Sequence, residues 1–125
     1  YSAVNQGHYD CFVRSDTRLP MMYMDDAIRA TIDLMDAPVE SIGDSRGGYN
    51  ISGCSFTASE LAHAVAERVP DFTCDFKPDV RQNYADSWPD SIDDSCAQED
   101  WGWKAEFDLD ALCEAMISGL QSSSI

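Results

Sequence analysis

The sequence predicts a mixed α/β fold, on three observations. A continuous apolar run of strand length occurs at residues 19–24, and residues 9–13, which alternate loosely, and 72–76 suit short strands. Elsewhere apolar residues recur every three or four positions, the period of a helix with one buried face. The 125 residues, 44% of them hydrophobic, suffice for one compact domain with a real core and leave little room for a second.

The opening "YSAVNQG" runs into Gly7 without an N-cap of its own, as the last turn of a helix leading to a strand does, so the chain is expected to start inside an element. Residues 9–13 suit a short strand and residues 19–24 another, the latter holding Met21, Met22 and Met24. Asp25 is placed to cap the next helix. Ile28, Thr31, Ile32 and Met35 share one face of it, Asp26, Arg29, Asp33 and Asp36 the other, and the pattern stops before Pro38. A polar loop at 41–48 leads to a candidate strand, "YNIS", at 49–52. In "FTASELAHAVAERVP", Thr57 and Glu60 spell a capping box, and Leu61, Val65 and Val69 supply the buried face. After the strand at 72–76, "RQNYADSWPDSIDD" reads as irregular, with Pro89 as a breaker. Asp94 or Ser95 caps a short helix that stops at Gly102. Asp108 caps a last one with Leu109, Leu112, Met116 and Leu120 along one side, and residues 121–125 are a frayed tail. The expected core includes Ile28, Ile32, Leu61, Val65, Leu112 and Met116.

A formal net charge of -15, with Lys77 and Lys104 the only lysines, argues against nucleic-acid or anionic-membrane partners, because phosphates are bound by clustered cations. The acidity reads as a solvated surface. No apolar run approaches the roughly 20 residues of a membrane-spanning helix. Cys11, Cys54, Cys74, Cys96 and Cys113 are odd in number and contain no C-x-x-C pair, so buried free thiols in a reducing, intracellular compartment are expected rather than a disulfide framework or a zinc site.

Glu60, His63 and Glu67 lie at i, i+3 and i+7, a spacing that suits metal ligands and equally the wet side of an amphipathic helix; the second reading is favoured and no metal site is expected. His8 beside Gly7 reads as a turn residue without a partner. A nucleophile elbow, a P-loop and a glycine-rich dinucleotide fingerprint are not expected. None of the five tyrosines is followed four residues later by lysine. The segment "RQNYADSWP" is different in kind. Arg81, Asp86, Ser87 and Trp88 offer a cation, an anion, a hydroxyl and a large apolar plate, groups that fix a small polar ligand, although a surface loop with Trp88 packed down as an anchor has the same composition.

"LPMMYMDDAIRAT", "YNIS" followed by "SFTASELA", "RQNYADSWPDSIDDSCAQEDWGWK" and "FDL" together resemble, in order and spacing, the C-terminal half of the L-threonine 3-dehydrogenase family of extended short-chain dehydrogenase/reductases. The resemblance runs over about residues 1–120. It implies the substrate-side part of an NAD-dependent epimerase/dehydratase-like, Rossmann-type fold, with short strands plus about four helices and the N-terminal Rossmann core absent from this chain. It also implies NAD-dependent oxidation of L-threonine to 2-amino-3-ketobutyrate. NAD and the Ser, Tyr and Lys that move the proton belong to the N-terminal half, so no catalytic or cofactor-binding residue is expected here, and independent activity is not expected.

Substrate-binding residues implied on this side are Trp88, Ser87, Asp86, Arg81, Met21 and Met22. In sugar-nucleotide epimerases of the same class the strand matching residues 19–24 starts with Arg-Asp and helps hold a diphosphate. Leu19 and Pro20 stand there instead, which suits a smaller amino-acid substrate, since a buried cation without its anion would be costly. The implied partners are L-threonine and the N-terminal Rossmann half, with a homodimeric parent enzyme, mitochondrial in a eukaryote and cytoplasmic in a bacterium. The competing readings are a sugar-nucleotide epimerase/dehydratase portion and an acidic interaction module without chemistry.

Overall fold

A computed structural model describes residues 1–43 and 48–122. Among them are four short strands and six helices, two more than the sequence reading expects: α1 (Ser2–Gln6), β1 (His8–Cys11), β2 (Arg18–Met21), α2 (Met24–Asp36), β3 (Cys54–Thr57), α3 (Ala58–Ala66), β4 (Thr73–Phe76), α4 (Arg81–Ala85), α5 (Ser95–Trp101) and α6 (Leu109–Ser122). The strands form two separate ribbons. β1 pairs in parallel with β4, His8 opposite Thr73 and Asp10 opposite Asp75. β2 pairs antiparallel with β3, Arg18 opposite Thr57 and Met21 opposite Cys54. A side chain at Gly53 would strike the Met21 carbonyl at 2.6 Å, so glycine permits the close approach that seats this second ribbon.

Local signals place most boundaries. Gly7 closes α1 with φ 68°, its N–H donating to the Ala3 carbonyl. The Thr57 hydroxyl accepts from the Glu60 N–H at 3.1 Å while the Glu60 carboxylate accepts from the Thr57 N–H at 2.7 Å, the capping box expected. Asp94 precedes α5, Gly102 ends it at φ 76°, and the Asp108 carboxylate accepts from the Ala111 N–H at 2.9 Å before α6. The tail reading is met only partly, since α6 continues through Ser122 and residues 123–125 lie outside the described ones.

Two half-cores lie on either side of Met22 and Tyr23. Ala30, Ala97 and Trp103 form one, with Met22, Tyr49, Ile51 and Trp101 against them; Ala64, Leu112 and Cys113 form the other, with Tyr23, Leu61, Val65 and Leu109. The buried Trp103 Nε1–H donates to the Ser52 carbonyl at 3.1 Å.

Several expectations are corrected. β2 stops at Met21, and Met24 already belongs to α2, whose N-cap is Tyr23 rather than Asp25. The α2 face is the reverse of the one predicted. Asp26 and Ala30 are buried, whereas Ile28 and Ile32 are 52% and 53% exposed and Met35 80%. The cause is a buried acceptor: Asp26 is anchored to the backbone of Glu106 and Phe107, which turns the apolar stripe outward. On α6 the buried residues are Leu112, Cys113 and Ile117, while Met116 is 52% exposed; Leu61 and Val65 are half-buried around Ala64. "YNIS" joins no ladder. It contributes Tyr49 and Ile51 to a half-core instead. "RQNYA" is helical, and of the free thiols only Cys11 and Cys113 are buried, Cys54 and Cys74 being half-buried and Cys96 exposed.

Candidate functional site

Gln82 on α4 is the buried residue that fixes this end of the molecule. Its Oε1 accepts from the Arg14 N–H at 2.7 Å, and its Nε2 donates to the Thr17 hydroxyl at 3.0 Å and to Asp86 Oδ1 at 2.7 Å. Asp86 in turn takes a forked pair of hydrogen bonds from the Arg14 guanidinium, at 2.8 and 3.3 Å. Arg14 and then Gln82 hold the Asp86 carboxyl below the usual carboxylate range. The backbone N–H groups of Asp86, Ser87 and Trp88 close tight turns on the carbonyls of Gln82, Tyr84 and Ala85. Trp88 is therefore presented on a fixed turn, and its ring is 59% exposed rather than packed down as an anchor.

The result is a cleft of about 270 Å³ lined by Arg14, Asp16, Thr17, Arg18, Asp86, Trp88 and Asp90, together with Ala85. Arg18 reaches the Ser55 carbonyl at 2.8 Å and both Glu60 oxygens at 3.1 Å, so the capping box of α3 also holds this arginine in place. The Ser55 hydroxyl donates to the Asp90 carbonyl and ties the far wall to β3. Two guanidinium groups, three carboxylates and an indole face surround one small space. Such a set suits a small ligand carrying both charges and an apolar group.

Of the six residues named from the sequence, the structure brings Asp86 and Trp88 together here. Ser87 donates its hydroxyl to the Tyr84 carbonyl at 2.7 Å and is not among the lining residues. Arg81 also lies outside the cleft, chelated by Asp79 at 2.6 to 3.1 Å and stacked over Phe12 with its carbon 3.6 Å from the ring centre. Met21 and Met22 line a different feature, an apolar groove of about 520 Å³ shared with Val4, Tyr23, Met24, Met116 and Leu120. Sequence reasoning missed Arg14, Asp16, Thr17, Arg18 and Asp90. The signal was the run "RSDTR" between the first two strands, which spells alternating charges in a connection.

Residues 43–47 read G-D-S-R-G, the letters of a nucleophile elbow that the sequence reading overlooked. Among the described residues the element before them is the helix α2 and the element after them is the strand β3, the reverse of a strand-turn-helix setting; residues 44–47 themselves, with Gly47 of the expected Gly47 and Gly48 turn, lie outside the described ones. A pyrophosphate cradle does not fit two of the strand-to-helix turns. β3 feeds α3, but the first turn of α3 is already closed by Thr57 and Glu60, and β4 leads through Pro78 to the five-residue α4.

The fold gives the class: it is α/β, and its solved structural neighbours include threonine dehydrogenases of the extended short-chain dehydrogenase type. The chain matches the C-terminal part of L-threonine 3-dehydrogenases and of epimerase/dehydratase proteins. It is 50% identical over 119 residues to the mitochondrial L-threonine 3-dehydrogenase of Bos taurus, covering 94% of this chain and 31% of that protein. It is 42% identical over 122 residues to an uncharacterized epimerase/dehydratase of Staphylococcus aureus, covering 97% of this chain and 38% of that one. Among solved structures, the GalE-like L-threonine dehydrogenase of Cupriavidus necator superposes with a TM-score of 0.89 at 51% identity, over 95% of this chain and 42% of the other. The chain thus spans about a third of the length of the curated relatives it matches. No protein-family model matches it.

Proposed function

We propose that the chain is the substrate-side portion of an L-threonine 3-dehydrogenase, working against a dinucleotide-binding portion that holds NAD and the proton-transfer residues. When bound there, NAD would take the hydride released as the threonine hydroxyl carbon is oxidised. This chain's share is to hold the amino acid: Trp88 closes over the methyl group, and Arg14, Arg18 and the carboxylates of the cleft take the charged ends. Ser87 stands behind that surface by fixing the turn that carries Trp88, while Arg81, Met21 and Met22 lie outside the cleft and take no part in holding the amino acid. In this reading a dinucleotide-binding portion also sets where the parent enzyme pairs into a homodimer. The mitochondrial label of the bovine relative and the free thiols support a reducing intracellular setting.

The observation that carries this proposal is the apolar surface left uncovered. Met24 lines the groove of Met21, Met116 and Leu120, and Ile28, Ile32 and Met35 follow it along α2, each more than half exposed. More than half of each solved relative's chain is available to cover it. The test is the substitution Ile32→Ala, made twice. In this chain alone it is expected to change unfolding free energy by less than about 0.5 kcal/mol, as an exposed position does. In a protein joined to a dinucleotide-binding portion it is expected to cost about 2–5 kcal/mol. Equal, small effects in both would contradict the proposed covering. The epimerase/dehydratase reading is carried by the Staphylococcus aureus relative, and the cations Arg14 and Arg18 in the cleft are compatible with it.

A further inference from the structure

The outer face of the β1–β4 ribbon gathers groups that no part of the dehydrogenase reading uses. Parallel pairing sets Asp10 directly opposite Asp75 and His8 opposite Thr73, and because side chains two apart share a face, all four project to one side. His8 Nε2 lies 3.1 Å from Asp10 Oδ1, and one ligand atom from each of His8, Asp10 and Asp75 falls within 4.8 Å of the others. Two carboxylates in direct register repel each other unless a cation stands between them. Here that cation is Lys77, whose ammonium is 2.7 Å from Asp10 and 3.8 Å from Asp75. It is 60% exposed, so it can leave without disturbing the core.

The imidazole is also held. His8 Nδ1 is 2.8 Å from the Thr73 hydroxyl, which can donate or accept. With Thr73 donating to Nδ1, Nε2 carries the proton and gives it to Asp10. With Thr73 accepting from Nδ1–H, the Nε2 lone pair faces the two carboxylates, and only a cation there relieves the repulsion. An outer hydrogen bond that fixes the ring and its tautomer is the usual companion of a ligating histidine.

We propose that this face is a divalent-cation site, with His8 Nε2 and the carboxylates of Asp10 and Asp75 as ligands to a transition ion of the zinc type, and with Lys77 as the resident cation it displaces. One nitrogen and two carboxylate oxygens suit zinc, leave a position for water, and lie in a chain whose net charge of -15 concentrates cations. The sequence shows only H-x-D on one strand; its third ligand arrives through the pairing of β4, which is why the helical Glu60, His63 and Glu67 drew attention instead.

Titration of the full chain with zinc chloride, followed by calorimetry and by the imidazole nitrogen signals of His8, tests this, with the exposed Cys96 alkylated to remove its thiolate as a competing ligand and magnesium chloride as a hard-ion control. One zinc per chain is expected, with the His8 signals shifting and magnesium at least ten times weaker. His8→Gln and Asp75→Asn should each weaken binding tenfold or more, and Lys77→Met should tighten it. All three positions are on the surface, and circular dichroism confirms that each variant is folded. Absence of saturable binding below 1 mM zinc (on the order of the weakest useful site), or binding that His8→Gln leaves unchanged, overturns the proposal.

Discussion

Replacing Asp26 by Ala is expected to destabilise the fold by about 3–5 kcal/mol, the usual cost of removing one partner from a buried charge pair. Asp26 is only 1% exposed, the most completely buried large side chain of the described residues. Its carboxylate accepts from Arg29 at 2.8 Å and from the backbone N–H groups of Glu106 and Phe107 at 3.0 to 3.1 Å. Alanine would leave the two backbone donors of Glu106 and Phe107 without this acceptor in the space between α2 and the segment before α6, and would take one of the acceptors of Arg29 away. Arg29 would keep the Lys104 carbonyl at 2.6 Å and Asp33 at 3.3 Å, and with them its stacking over Trp103 at 4.7 Å, so the loss falls on the backbone donors.

The same carboxylate makes stability depend on pH. Burial pushes its pKa up, but the Arg29 hydrogen bond and the N–H groups of Phe107 and Glu106 outweigh burial, and the net direction is down. A depressed carboxylate contributes its stability above the ordinary range near about pH 4, and that contribution fades as pH falls through the folded pKa. Urea unfolding at pH 7 and near pH 3 checks both statements. The parent chain should lose more stability on acidification than Asp26→Asn does. A loss below about 0.5 kcal/mol for Asp26→Ala at pH 7 would mean that the anchor is not what orients α2.

Trp88→Ala, made in an enzyme completed by its dinucleotide-binding portion, is expected to lower threonine turnover on the order of 100-fold while leaving NAD affinity unchanged. The indole stands on a turn fixed by Gln82, Asp86 and Arg14, so it can hold a small substrate without moving. Without it the reacting carbon loses its place, and hydride transfer needs that place to within a fraction of an ångström. Because the ring is 59% exposed, truncation should cost little stability, and a kinetic loss can then be read as a loss of positioning. Full turnover in the variant would remove Trp88 from the site. A raised KM with kcat unchanged would set it at the mouth of the pocket.

Legibility in the sequence followed the range of the interaction. The Thr57–Glu60 capping box, Gly7, Gly102 and the Asp108 cap could all be read, because each is settled within one helical turn of neighbours. The burial of Asp26 could not. Its partners lie 80 and 81 residues away, and an acidic residue beside Arg29 looks like a solvated face until Glu106 and Phe107 are brought to it. The outward stripe of Ile28 and Ile32 was misread for a related reason: periodicity says that a face will be covered, not that this chain covers it. Within the cleft, "ADSWP" was visible as a ligand-like string, whereas Arg14 and Arg18 reach it only through the turn between β1 and β2 and through the α3 cap.

The most direct measurement of the central claim is threonine-dependent reduction of NAD. This chain would be joined, in one polypeptide, to the dinucleotide-binding portion of the Cupriavidus necator relative, and absorbance of NADH followed with L-threonine, with a sugar nucleotide, and with neither. The account predicts NADH formation with L-threonine only, and none from the chain by itself under the same conditions. A folded, NAD-binding chimera that ignores L-threonine, or one that turns over the sugar nucleotide instead, would contradict it.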